Sequence, residues 1–337
     1  MAGWDLLVER ADLRRTSLAD ADPDVALAEG EALLAVESFA LTANNVTYGA
    51  AGDQIGYWKF FPAPDGQGRI PVWGFATVTR SNATDAPVGL RLFGYWPMSS
   101  HTVARLEKRG GGYVEASAHR AELPPTYNAY QIAEPDPFDD WRSLLRPLFM
   151  TSFLLDDQLS EAPVKTLVLS SASSKTAMGL AWLARRRGVK VIGLTSPAHV
   201  EMLRGSGLYD EVAAYDAIGG LSAGAPVAYV DFAGRGSVTK AVHETFGEAL
   251  ASSTIVGLTH WDARGGPPPA TGPQPVFFFA PDRIRQRMKD WGPVELEARF
   301  LEGLKGFIAD NPWLRLKRAC GPSWPAGHPL TSTSCLT

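Results

Sequence analysis

The sequence predicts an α/β chain in which a strand-rich first third precedes a doubly wound parallel sheet. Residues 164–196 read as strand, small polar turn, helix and strand. Between 164 and 258, four or five short apolar strands alternate with helices, which implies a parallel sheet covered on both faces. The first third instead holds separate apolar runs bounded by Gly, Pro, Asn or Asp, as short strands of a barrel or sandwich are.

In that first third, strands are expected over 31–40, 71–79 and 89–96, with aromatic-rich loops such as Tyr57-Trp58-Lys59-Phe60-Phe61-Pro62 around them. From 136 to 157 the pattern turns helical, with Trp141, Leu144, Leu145, Leu148 and Phe149 at helical spacing. The strand 164–169 runs into the turn Ser170-Ser171-Ala172-Ser173-Ser174-Lys175-Thr176-Ala177, and a helix over 178–187 closes at Gly188. A strand over 189–194, a helix over 198–204 and a strand over 211–215 follow. Next come a strand over 227–232, a helix over 237–250 and a strand over 253–258. A Gly/Pro-dense break covers 264–275. Beyond it lie a strand over 276–280 and helices over 282–291 and 293–310, too few for a domain of their own.

Bulk properties narrow the function classes. A chain of 337 residues suits two domains. A net charge of −4 supplies no field that recruits nucleic acid. The densest basic run, Arg185-Arg186-Arg187, sits in the last helical turn before Gly188, where it complements the helix C-terminus. Two cysteines, Cys320 and Cys335, have no Cys or His at ligand spacing, so neither structural zinc nor a disulfide framework is expected. No signal peptide and no apolar run near the ~20 residues that span a bilayer is visible, which places the expected location in the cytoplasm, off the membrane.

The strand–turn–helix at 164–187 points to a nucleotide. Small residues let the backbone approach a phosphate, and the first helical N–H groups and the helix dipole favour the anion. Ser171, Ser173, Ser174, Lys175 and Thr176 are the pyrophosphate candidates; a solvated turn with an N-cap serine is the structural alternative. Ser-Lys-Thr also echoes a phosphate-binding loop, but that motif wants glycine at 169 and 174, where Leu169 and Ser174 stand. After the second strand, an acidic residue normally accepts from the ribose of NAD. Here Thr195-Ser196-Pro197-Ala198-His199 carries no carboxylate before Glu201, so Thr195, Ser196 and His199 favour the 2′-phosphate of NADP. Ser196 before Pro197 is equally good helix-capping chemistry. Tyr215, Phe232 and Gly257, near the ends of later strands, are further cofactor candidates, and each also reads as a plain sheet residue. His260 and Trp261 follow the fifth strand, although a lone His is usually structural. No Ser-His-Asp set with an elbow motif argues for a hydrolase.

Several stretches resemble the zinc-free, quinone-oxidoreductase-like branch of the medium-chain dehydrogenase/reductase superfamily. They are 167–188, the run Ile70-Pro71-Val72-Trp73-Gly74-Phe75 into the central barrel strand, and Leu203–Val212 with Tyr215. Ala40–Asn45 ("ALTANN") and Phe277–Asp282 ("FFFAPD") resemble most closely a bacterial and fungal domain-of-unknown-function branch (DUF2855-like). The resemblance implies a GroES-like β-barrel catalytic domain over 1–130, a Rossmann nucleotide-binding domain over 131–265, and a segment 266–337 returning to the catalytic domain. The superfamily's turn is glycine-rich, whereas Ser171, Ser174 and Ala177 stand here. Ala43-Asn44-Asn45 occupies the position of the zinc-ligating Cys of other members, so Lewis-acid chemistry through that metal is not expected.

The same resemblance places Asn44, Asn45 and Tyr48 in a loop over the nicotinamide, where an amide or phenol can donate to a developing oxyanion. Asn45 and Tyr48 are therefore the catalytic candidates, with a polar turn between strands as the alternative. Tyr57, Trp58 and Phe61 fit either a pocket wall or ordinary core. The expected protein is an NADP(H)-dependent, zinc-free reductase passing hydride to a small quinone-, enone- or carbonyl-type substrate, with its site in the cleft between the two domains. A homodimer is compatible by analogy. The alternative is a catalytically silent NADP(H)-binding sensor of the same fold.

Overall fold

A computed structural model describes residues 3–256 and 271–316. Two compact units divide the chain; the first extends to Arg146 and takes it up again at Trp313, and the second is Pro147–Pro312.

The first unit opens with β1 (Gly3–Glu9) and β2 (Asp12–Ala21), followed by β3 (Glu31–Ala40), α1 (Ala43–Ala50), α2 (Gly52–Ile55) and β4 (Gln67–Gly68). Then come β5 (Pro71–Ser81), β6 (Arg91–Pro97), β7 (His101–Arg109), β8 (Gly112–Glu115) and β9 (Ala129–Ile132). Six strands close a barrel in the order β3-β5-β6-β9-β8-β7, and β2-β1-β4 forms a separate small sheet. Closure leaves no free edge on the barrel. Gly74 of β5 is required where β3 bulges: a Cβ there would lie 2.1 Å from the Ser38 carbonyl oxygen. The hairpin β1–β2 is not evident in the sequence, because β2 is polar and largely exposed and shows no clean alternation.

The barrel unit's core is aromatic. Tyr48, Tyr57, Phe60, Phe61 and Tyr95 are buried, and Tyr48 meets Tyr57 at 4.7 Å and Tyr95 edge-on at 5.4 Å between centroids. Trp58 is buried as well, so Tyr57, Trp58 and Phe61 take the core role. Burial pushes the phenols of Tyr48, Tyr95, Tyr127 and Tyr130 above the ordinary tyrosine value, as it does Tyr209 and Tyr229 of the second unit. The linkage has a definite sign. Unfolded phenols ionise near pH ~10, so above that pH the unfolded chain holds fewer protons than the folded one and stability falls as pH rises. The urea midpoint should therefore hold from pH ~8 to ~9 and fall between pH ~10 and ~11, as the phenolate absorbance of the unfolded chain rises; a midpoint flat through pH ~11 would contradict this.

The boundary between units falls inside α3 (Asp139–Leu159). The second unit continues with β10 (Thr166–Leu169), α4 (Lys175–Arg186), β11 (Lys190–Thr195), α5 (Val200–Ser206), β12 (Glu211–Ala214), β13 (Val227–Asp231), α6 (Gly236–Phe246) and β14 (Leu250–Ile255). It ends with β15 (Val276–Phe277), α7 (Ala280–Asp290) and α8 (Pro293–Asp310). All six strands pair in parallel in the order β12-β11-β10-β13-β14-β15. All four β10 residues are buried, which is why the strand reads as a continuous apolar run. The sheet is the doubly wound arrangement expected, with its change of winding direction between β10 and β13.

The tail is divided between the units: its described residues up to Pro312 belong to the second, and the first takes the chain up again at Trp313. In the second unit β15 extends the parallel sheet, Phe300 and Phe307 of α8 pack on Phe149 of α3, and Arg283 and Arg287 of α7 pair with Asp157 of α3. The apolar stripe of α8 and the two arginines of α7 find their partners on α3, a match of faces that spacing within the tail does not reveal. Among the described residues, no helix is long and apolar enough to cross a membrane.

Candidate functional site

In the second unit the carboxyl ends of β10 and β13 lie side by side, and the chain leaves them in opposite directions. That is the position where open α/β sheets bind ligands. Two buried side chains tie the strand ends together. Ser170 Oγ donates to Asp231 Oδ1 at 2.6 Å and accepts from the amides of Phe232 and Ala233 at 2.9 and 3.0 Å. Asp231 accepts further from the amides of Ala233 and Gly234, at 2.9 and 3.1 Å, and from Thr239 Oγ1 at 3.1 Å. Its carboxylate oxygens are thus engaged by donors inside the protein.

The serine bend follows. Ser171 adopts φ 48°, a left-handed backbone that glycine adopts at least cost. Its amide donates to the Tyr215 hydroxyl at 3.0 Å, which brings two of the sequence candidates together across the end of β11. The Ala172 amide donates to the Leu194 carbonyl, and Tyr209 donates to the Ala172 carbonyl at 2.6 Å. This packing needs Gly193 in β11, where a Cβ would stand 2.7 Å from the Tyr209 ring. Helix α4 begins three residues earlier than the sequence suggests, because Ser174 caps it: its Oγ accepts from the Ala177 amide at 3.2 Å. The Ser174 amide donates to the Ser171 carbonyl, whereas those of Ser173 and Thr176 donate to no described residue. Ser174 thus acts as a helix cap, and the bend offers fewer open donors than its composition suggests.

At the end of β11, Thr195 is buried and pairs with Ala214 of β12. Ser196 precedes a 3-10 turn, Pro197–His199, but its hydroxyl makes no cap bond and lies 3.0 Å from His199 Nδ1. The expected helix over 198–204 accordingly starts at Val200. Phe232 is buried. Gly257, His260 and Trp261 lie outside the described residues.

In the barrel unit, Asn45 and Tyr48 lie on helix α1 and not in a loop or turn. Thr42 and Asn45 form a capping box, in which the Thr42 amide donates to Asn45 Oδ1 at 2.7 Å. Asn45 Nδ2 donates to the Pro71 carbonyl at 2.9 Å, so this side chain anchors α1 to the start of β5. Tyr48, one turn later, is 4% exposed and accepts from Trp73 Nε1 at 3.2 Å. Because an indole N–H only donates, the phenol's own proton points elsewhere.

Residues 39–324 match the family described as "Protein of unknown function (DUF2855)". The chain belongs to this family. No curated protein matches it. Several solved structures share the fold of this DUF2855 chain. A candidate NADPH:quinone reductase from Mesorhizobium loti is 15% identical, with a TM-score of 0.63 over 94% of this chain and 91% of that one. A mutant form of enoyl thioester reductase from Candida tropicalis is 11% identical, with a TM-score of 0.58 over 98% and 94%. CurA from Vibrio vulnificus is 14% identical, with a TM-score of 0.60 over 90% and 88%. At such identities the likeness is one of fold. It lies in the barrel and the doubly wound parallel sheet of the DUF2855 chain.

Ser170, Asp231 and Arg235 were not picked out by sequence reasoning. A lone Asp ending an apolar strand, as Asp231 ends β13, is the one signal that points to this cluster.

Proposed function

We propose that the chain is an NADP(H)-dependent, zinc-free reductase acting on a small quinone-, enone- or carbonyl-type acceptor. The observation that carries this reading is the carboxyl edge at the β10–β13 switch point. Hydroxyls and amides gather there, and the carboxylate that ends β13, Asp231, is satisfied internally. Such a donor set suits a polyanion. Among proteins of similar fold, Etr1p has been captured with NADP and crotonyl-CoA.

Ser171, Ser173, Lys175 and Thr176 are proposed to line the pyrophosphate, with Ser174 holding the helix start. Thr195, Ser196 and His199 are proposed to face the 2′-phosphate, and Tyr215 and Phe232 to bound the remainder. The Ser196–His199 contact and the distance in sequence to the first acid, Glu201, which pairs with Arg204 at 2.7 Å, favour NADP over NAD. When bound, the dinucleotide supplies the hydride. Tyr48 is the proposed donor to the oxygen on which charge develops. Burial holds its phenol protonated, and Trp73 occupies its acceptor side. Asn45 has a positioning role, fixing α1 one turn before Tyr48. A second reading, binding without turnover, is favoured by the depth of Tyr48.

Reduced-nicotinamide absorbance, followed with a panel of quinones, enones and small aldehydes, tests the proposal. Consumption of NADPH supports the reductase. Tight binding with no consumption across the panel supports the sensor.

A further inference from the structure

The loop after β13 contributes a cation that the expected nucleotide contacts do not include. Asp231 fixes the amides of Ala233 and Gly234, Gly234 takes φ 69°, and the chain delivers Arg235 immediately before α6. The Arg235 guanidinium lies 5.8 Å from the centroid of the Tyr215 ring. Tyr215 in turn contacts the serine bend through the Ser171 amide at 3.0 Å. Bend, phenol and guanidinium thus form one continuous row across the ends of β10, β12 and β13.

Arg235 differs from the other arginines of the second unit's helices. Arg185, Arg186, Arg187, Arg204, Arg283, Arg285, Arg287 and Arg299 each pair with a carboxylate within 3.5 Å. Arg235 has no carboxylate partner among the described residues, and Asp231, the nearest acid in the chain, already accepts four hydrogen bonds. A half-buried guanidinium held over a ring and left without an anion is a donor fork awaiting one. The bend it faces has one amide taken by Tyr215 and another by the Ser171 carbonyl, and so is short of the donors that a diphosphate needs.

We infer that Arg235 binds a phosphate group of the dinucleotide, supplying as a side-chain charge what the glycine-poor bend does not supply through its main chain. The inference rests on the NADP(H) reading given above. Binding of NADP+ and of NAD+ to the intact chain, measured by quenching of protein fluorescence, separates the possibilities, with Arg235→Ala, Arg235→Lys and the remote control Arg285→Ala. Arg235→Ala should weaken NADP+ binding at least about tenfold, Arg235→Lys should recover part of the loss, and Arg285→Ala should bind like the parent. A loss shared equally by NAD+ and NADP+ assigns the pyrophosphate; a loss confined to NADP+ assigns the 2′-phosphate. Unchanged affinity for both coenzymes in a folded Arg235→Ala overturns the inference and leaves the reductase reading standing. A parent protein that binds neither coenzyme removes both.

Discussion

Replacing Asp231 by alanine is expected to destabilise the second unit by about 3–5 kcal/mol, a large part of a typical domain's stability. The carboxylate is buried and accepts from Ser170 Oγ, two main-chain amides and Thr239 Oγ1. Alanine orphans these donors in a water-poor setting, where each costs about 1–3 kcal/mol, although Ser170 Oγ still serves the Phe232 and Ala233 amides and softens the total. Asparagine keeps the shape and one acceptor oxygen and should restore much of the loss. Urea unfolding reports the outcome as a shift in midpoint at unchanged slope. An alanine variant with the parent's midpoint would contradict the structural role given to this cluster.

The second large effect is expected at Tyr48. Phenylalanine removes the hydroxyl and leaves the ring contacts with Tyr57 and Tyr95 in place. With an accepted substrate, kcat should fall about 10²–10³-fold, the cost of losing one oxyanion donor, while the affinity for NADP+ stays as it was. Stability should change by only about 1 kcal/mol, because the Trp73 indole that loses its acceptor is only partly buried. Equal turnover by the variant and the parent would remove Tyr48 from the chemistry.

Much of the second unit is legible in the sequence because its strands are buried on both faces. Runs such as Thr166–Leu169 and Val227–Asp231 can only be interior strands, and Gly188 marks the end of α4. The misplaced features depend on contacts distant in sequence. Thr42-Ala43-Asn44-Asn45 looks like a polar turn until Asn45 is seen to close a capping box and reach Pro71. The attachment of α7 and α8 is set by Asp157 and Phe149, more than a hundred residues upstream. In the candidate site, the small residues of the bend are visible in the sequence, but their occupancy is not. No spacing rule says that Tyr215 takes the Ser171 amide, that Ser174 is spent on capping, or that Arg235 reaches the Tyr215 ring. Those facts depend on strand order, which places β12 and β13 on opposite flanks of β10 and β11.

Titration calorimetry of the intact chain with NADP+ and, separately, NAD+ is the most direct test that the β10–β13 edge of the second unit is a coenzyme site. Saturable one-to-one binding, with NADP+ the tighter of the two, is the expected result. No heat and no thermal stabilisation with either coenzyme would contradict it, and tighter binding of NAD+ would overturn the assignment of Thr195, Ser196 and His199 to the 2′-phosphate.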